Sequence, residues 1–346
     1  MKINKIFAGA VVVAAAMTSC ENQDVSYADF DYQTVYFANQ YPVRILELGD
    51  DDFVDNTLDN QNIVEVKATT GGAYQNGSDV VIDYVVDDLL CDGLSFGSVN
   101  TGAKVIPMPS SYYQLLSDKI AISSGSIFGG VKVKLTDAFF ADPLALTANY
   151  VIPLRMTEVA GADSILQGRP SIPDPNRCID AHWAVKPKDY VLYAVRFINP
   201  WHGNYLRRGT DVITLADGTA SALVRHKAYV EYDQLVKITT SGLKSTILPL
   251  SVKGSDGKDV KFNLELTFAD DQSCTVSGSS ATYNITGTGK FVKLGEKKSI
   301  GGKDRNALYL DYAVDFTTLG IKYNTKDTLV VRDRAITAEY FTVVKK

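Results

Sequence analysis

Hydrophobic and polar positions alternate along most of this chain, and helical spacing is almost absent. "VKVKL" (131–135) sets Val131, Val133 and Leu135 on one face and Lys132 and Lys134 on the other. "NIVEVKATT", "DVVIDYVVD", "KIAIS" and "YVIPLRM" share its length and β-branched content. Clusters of Gly, Asn, Asp and Ser such as "TTGGAYQNGSD" bound them, so they read as short strands of a sandwich. The pattern predicts one helical piece in this half, "SSYYQLLS", a turn or two opened by a Ser cap.

The texture changes between Gly161 and Pro187. "GADSILQGRPSIPDPNRCIDAHWAVKP" holds four Pro and little alternation, which predicts a stiff, extended connector. Strands then resume from "YVLYAVRFI" through "VKFNLELTF" and "ALYLDYAVDF" to "EYFTVV", joined by hairpin-like turns such as "SVKGSDGKDVKF". Eight or more strands with short connections suit an antiparallel barrel, which leaves no open edge. The expected fold is all-β: an immunoglobulin-like β-sandwich over 30–160, the connector over 161–187, and an antiparallel lipocalin-like β-barrel over 188–346.

The start of the chain follows another logic. "MKINKIFAGAVVVAAAMTSC" has Lys2 and Lys5, an uncharged run from Ile6 to Met17, and small residues before Cys20. A membrane span needs ~20 apolar residues, so this run is too short for one and reads as a signal peptide over 1–19. Its end resembles the bacterial lipobox, with Met17 where Leu is usual, which implies acylation of Cys20. The polar, acidic stretch 20–29 reads as a tether, and an acidic patch there resembles the export signal of Bacteroidetes surface lipoproteins. The expected location is the outer membrane, facing the medium, with the membrane as a partner through the N-terminal lipid.

Loss of residues 1–19 moves the net charge from −5 to −7, and no basic run exists, so nucleic acid is excluded as a partner. Cys91, Cys178 and Cys274 allow at most one bridge, and burial as apolar thiols is the expected fate of at least two.

Two longer stretches carry a family resemblance. "PSSYYQLLSDKIAISSGSIFGGVKVKL" and "LTANYVIPLRM" resemble a Bacteroidetes domain of unknown function. That domain precedes the catalytic barrel of some endo-β-N-acetylglucosaminidases and occurs in glycan-utilisation lipoproteins. Ser124 and Ser126 flank Gly125 where that family more often has Ala-Gly. "PWHGNYLRRG", "YNITGTGKFVKLGEKKSIGGKDRNALYLDY" and "KDTLVVRDRAITAEYF" resemble the lipocalin-like domain that often follows it. The resemblance implies a non-enzymatic surface lipoprotein without a cofactor. Its implied partners are a polysaccharide or glycoprotein glycan and an outer-membrane transporter complex.

Candidate chemistry is sparse. "GLSFG" (93–97) matches the nucleophile elbow, but no helix pattern follows Ser95, so a turn is expected. "LGDDDFVDNTLDN" lacks the Gly and terminal Glu of a calcium loop and reads as a solvated loop. His182, His202 and His226 lie too far apart for zinc, and no metal is expected. "DSI" (163–165) and "DTL" (327–329) match a Bacteroidetes O-glycosylation acceptor, the second running into a strand.

"INPWHGNYLRRG" remains. Alternation puts Trp201, Gly203, Tyr205 and Arg207 on one face, with Pro200 at a corner. Facing inward, they plug a barrel end. Facing outward, Trp201 offers a disc to a sugar ring, with Tyr205 beside it and Arg207 or His202 taking hydroxyls. Trp183, in the connector, is an alternative platform. Three readings stand: a glycan-binding module, a structural or adhesin subunit holding a protein partner, and a cryptic glycoside hydrolase whose carboxylate pair the sequence does not mark.

Overall fold

The computed structural model describes residues 30–51, 54–74, 76–254 and 257–345. Cys20, the 1–19 segment and the 20–29 tether lie outside the described residues. No helix among the described residues is long and apolar enough to cross a membrane.

The N-terminal half forms two layers. One holds strands Thr34–Tyr36, Ile63–Gly71 and Phe128–Leu135, all antiparallel. The other runs Lys119–Ile122, Val80–Val86, Tyr150–Ala160, Tyr190–Ile198 and Pro42–Glu47, the last two parallel. A single residue pair, Ala121 with Gly130, links the layers. Neighbouring Gly129 explains how they come so close, because a Cβ there would sit 1.9 Å from the Ala121 carbonyl oxygen. Between the layers lies an apolar core that includes Val64, Val66, Val131, Val133, Ile120, Ile122, Ile152 and Phe197.

"YVLYAVRFI", expected to open the barrel, belongs to this sandwich instead. Tyr193, Val195 and Phe197 face the core between the layers, while Tyr190, Leu192 and Ala194 face a second core behind it. A strand buried on both faces is apolar on both, and this one is except at Arg196, which pairs with Glu339 at 2.6 Å. The second core also takes Cys91, Cys178, Phe96 and Phe341.

The 161–187 stretch is likewise no free extended connector. Ser164–Ile165 pairs with Thr34–Val35, and Arg169–Pro170 pairs with Trp183–Val185. Arg177 grips buried Asp189 through Nε and Nη2 at 3.0–3.2 Å. "SSYYQLLS" forms one 3-10 turn, Ser110–Tyr112, and then a strand, Tyr113–Leu115, which pairs with 133–135. Tertiary pairing overrides the local helical spacing there. "GLSFG" is a strand rather than a turn: Leu94–Phe96 pairs with Val343–Lys345 and Ser95 is buried.

The C-terminal half is a closed, up-and-down barrel of eight strands: Gly203–Leu215, Gln234–Thr240, Ser245–Lys253, Asp259–Phe268, Ser273–Ser279, Asn284–Glu296, Arg305–Phe316 and Ile321–Asp333. The last pairs with the first over twelve positions and shuts the wall. Asp259–Phe268 shows the expected alternation, with Phe262, Leu264, Leu266 and Phe268 inside. A short strand, Ala220–Arg225, hangs on the outer half of Gly203–Leu215.

The chain then returns to the sandwich. Glu339–Tyr340 pairs with Pro42–Val43, and Phe341 packs on Tyr41 and Phe96. Arg334, 7% exposed, donates to the carbonyl oxygens of Leu48, Asp50, Asn199 and His202 at 2.8–3.2 Å. One guanidinium thus stitches the sandwich loop to the start of the barrel.

Candidate functional site

Trp201, Tyr205 and Arg207 all face into the barrel. Trp201 is 4% exposed and stacks on Phe268 at 3.8 Å with the rings 5° from parallel. Tyr205, 1% exposed, donates its hydroxyl to the Trp201 carbonyl at 2.8 Å. No sugar ring can reach either face, so these two are the plug of the barrel end and not a platform. Arg207 is equally enclosed. Its Nε donates to Asp327 Oδ2 at 2.8 Å, Nη1 to Gln234 Oε1 and Nη2 to the Tyr312 hydroxyl, both at 3.1 Å. Arg225 donates to Asp327 Oδ1 and Asp211 Oδ2, each at 2.6 Å. Two guanidiniums and two carboxylates thus neutralise one another inside the barrel. Asp327, the first residue of "DTL", is consumed in this network.

Trp183 is half-buried, and its indole N–H donates to the Asn176 carbonyl at 2.8 Å. His182 Nδ1 accepts from Asn176 N at 3.0 Å, so both aromatic side chains brace the folded connector. His202 Nδ1 accepts from Thr240 N at 3.1 Å, and burial holds its pKa down to about 4. It is a neutral structural imidazole. Cys91, Cys178 and Cys274 are buried free thiols, and burial pushes Cys178 up to about 11. Among the described residues no cluster of His, Cys, Asp or Glu is arranged to hold a metal ion. In the acidic loop Asp59 is buried, paired with Arg44, and accepts from Glu47 N at 2.8 Å.

What the Trp201 plug does is position a residue that sequence reasoning missed. Its indole N–H donates to Gln272 Oε1 at 3.1 Å. Gln272 sits in the turn between two barrel strands with φ 67°, a left-handed conformation that costs a non-glycine residue energy. Across from it, strand Asn284–Glu296 breaks its register after Val292, and Leu294 N donates to Asn306 Oδ1 at 2.9 Å. Both amides are therefore held by their oxygen ends, which leaves each NH₂ as a donor for an occupant.

Between them opens a groove of about 310 Å³ at the seam of the two domains, lined by Gly49, Asp50, Pro200, Gln272, Phe291, Lys293 and Asn306. Gly49 (φ 91°) is pressed on Pro200, where a Cβ would meet the Pro200 Cβ at 2.6 Å, so sandwich and barrel close together at its floor. Lys293 Nζ pairs with Asp50 Oδ2 at 2.6 Å across the groove. Beside it Glu47, 4% exposed, has a carboxyl raised to about 7, chiefly by burial and then by its hydrogen bond with Asp51. The ensemble offers two amide donors, a carboxylate, an ammonium and the apolar faces of Phe291 and Pro200. That set suits a hydroxyl-bearing ligand, in which each hydroxyl both gives and takes a hydrogen bond.

Comparison with known proteins fits this architecture. Residues 30–163 match a family model described as an N-terminal domain, and residues 200–335 match a domain of unknown function (DUF5627). A crystal structure of a Bacteroides ovatus protein of unknown function is 52% identical, with a TM-score of 0.86 over 92% of this chain and 100% of that one. The chain belongs to that protein's family. The pairing of an N-terminal β domain with a C-terminal barrel, expected from the resemblance, is the pairing found in this family member. Two further solved structures are far less alike. A multidomain protein including DUF1735 from Bacteroides ovatus is 13% identical, with a TM-score of 0.42 over 90% of this chain and 100% of that one. An auxiliary nutrient binding protein from Bacteroides thetaiotaomicron is 13% identical, with a TM-score of 0.36 over 86% of this chain and 96% of that one. No curated protein matches the chain.

Proposed function

We propose that this protein is a non-catalytic binding protein that holds a segment of glycan in the seam groove. In this reading acyl chains on Cys20 display it on the outside of the outer membrane, where a transporter complex receives what it gathers. One observation carries the binding reading: Gln272 and Asn306 are fixed through their carbonyl ends, Gln272 by a buried tryptophan in a strained turn, beside Phe291 and Pro200. Amides fixed in this way at a groove lose little freedom when a ligand binds. The carboxylates near the groove give no support to hydrolysis, since Asp50 is paired with Lys293 and Glu47 is enclosed beside Arg334.

The test is glycan-array retention and titration calorimetry on the chain starting at Glu21, with Gln272→Ala, Asn306→Ala and Phe291→Ala beside it. Each variant is expected to weaken retention about tenfold, the worth of one good hydrogen bond or ring contact. Thermal unfolding should stay near the parent in Asn306→Ala and Phe291→Ala and fall modestly in Gln272→Ala, which unpairs the Trp201 indole. A folded parent that retains no glycan, or variants that bind as the parent does, would overturn the reading. The anchoring reading has its own test: mass spectrometry of the membrane-extracted protein, which should show an acylated mature chain beginning at Cys20.

A further inference from the structure

The end of the sandwich opposite the barrel carries an exposed apolar cap. Three pieces of chain meet there. Thr34 pairs with Gly71, Thr70 N donates to the Ile127 carbonyl at 3.1 Å, and the Gln33 amide donates to Asn76 Oδ1 at 3.2 Å. Asn76 in turn donates to the Ser123 carbonyl at 3.2 Å. From this junction project Phe30, Tyr32, Tyr74, Ile127 and Phe128, between 46% and 66% exposed.

The position of the cap is fixed by strand direction. Ile63–Gly71 starts beside the loop whose Asn60 donates to the Gly49 carbonyl at 3.0 Å, at the barrel seam, and it finishes at the cap. Nine residues at ~3.3 Å each separate cap and seam by about 25–30 Å. Residue 30 lies ten residues after Cys20. Ten residues span at most about 35 Å even when fully extended.

We propose that this cap seats on the headgroup layer of the lipid surface that holds the acylated Cys20, standing the barrel and its groove away from the membrane. The inference rests on the Cys20 anchoring reading. Given an anchor there, the cap, where the described chain begins at residue 30, is the part of the fold nearest the attachment point. Aromatic rings with a polar tip, as in Tyr32 and Tyr74, favour the boundary between headgroups and acyl chains. Glu21, Asp24, Asp29 and Asp31 follow Cys20 closely in sequence with negative charge, so the surface that fits is zwitterionic and contact comes from apolar burial, not from cations.

The test uses the acylated protein on phosphatidylcholine and phosphatidylethanolamine vesicles. A fluorophore is placed at Ser124→Cys in the cap or Ala281→Cys at the distal barrel turn, the native Cys91, Cys178 and Cys274 being buried. A nitroxide carried by the lipid should quench the Ser124 label several-fold more than the Ala281 label. Tyr74→Ser/Ile127→Ser/Phe128→Ser should abolish that difference. Equal quenching on vesicles that retain the acylated protein overturns the cap and leaves the anchor standing.

A second arm keeps the two readings separate. The unacylated chain from Glu21 should partition weakly onto the same vesicles, and about fivefold less with the triple serine variant. If mass spectrometry finds no acyl group on Cys20, the anchoring reading fails and this arm alone decides the cap. Equal partition of parent and triple variant, or a cap that drives self-association and not vesicle binding, overturns the proposal.

Discussion

Sandwich and barrel treat charge in opposite ways. The sandwich keeps the cation of each pair at its rim: Arg44 and Arg177, which hold buried Asp59 and Asp189, are 36% and 29% exposed. The barrel buries both partners, Arg207 at 6% and Asp327 at 0% side-chain exposure, with Arg225 and Asp211 beside them. An apolar core gains stability from burial alone. A buried ion network gains little, because desolvation offsets attraction, but losing one member leaves the others stranded. The sandwich should therefore behave as a conventional core, and the barrel as an interior that tolerates only coordinated change.

The largest expected effect tests that difference directly. Asp327→Ala takes from Arg207 its one carboxylate and leaves Arg225 only Asp211, and should cost about 3–5 kcal/mol in urea denaturation. Replacing the network together, as Arg207→Met/Asp327→Leu/Arg225→Met/Asp211→Leu, should recover most of the loss. If the quadruple variant is no more stable than the single one, the network stabilises outright and the contrast between the domains dissolves.

Arg334 comes next. Its four carbonyl acceptors belong to both domains, so Arg334→Ala should cost about 2–4 kcal/mol, charged hydrogen bonds being worth more than neutral ones. In calorimetry the parent should unfold in one transition and the variant in two, one for each domain. A variant that still unfolds in one step would show that the returning tail, Glu339–Lys345, couples the domains without Arg334.

Glu47 sharpens the comparison from the sandwich side, as a carboxyl enclosed at the seam. Its pKa is about 7 when folded, against the ordinary value of 4.5. Between those values the folded state keeps a proton that the unfolded state releases, so stability falls as pH rises through that window. Below it Glu47 contributes nothing, and above it the full cost applies. Glu47→Gln should therefore match the parent near pH 4 and exceed it by about 1–3 kcal/mol at pH 8 in paired denaturation curves. A difference that does not change with pH would mean that Glu47 is solvated.

Much of this architecture is legible in the chain. Strict alternation in "VKFNLELTF" yields a strand with one face inside, and the spacing of Trp201, Tyr205 and Arg207 gives their shared face correctly. "YVLYAVRFI" breaks that alternation at Tyr190, Leu192, Ala194 and Ile198, which signals two buried faces, yet its place beside the barrel strands hides its partner sheet. "SSYYQLLS" misleads because the partner of Tyr113–Leu115 lies in the strand at 133–135, and no local spacing reports it. The groove is less visible still. Gln272 lies in a turn and Asn306 at the start of the strand Arg305–Phe316, and only the pairing of Asn284–Glu296 with the strands on both its sides brings them to one rim.

The smallest effect concerns the two tryptophans. Trp201 is stacked, enclosed and tied to Gln272, whereas Trp183 is half-buried with one hydrogen bond to the connector backbone. Trp183→Ala should cost no more than about 1 kcal/mol, because it removes neither a core side chain nor a buried charge. It should also leave glycan retention unchanged, since Trp183 does not line the groove. The measurement is urea denaturation by far-ultraviolet circular dichroism, with the array repeated on the same protein. Retention lost in Trp183→Ala but kept in Gln272→Ala would move the binding face to the connector, and the strain at Gln272 would then belong to the barrel plug alone.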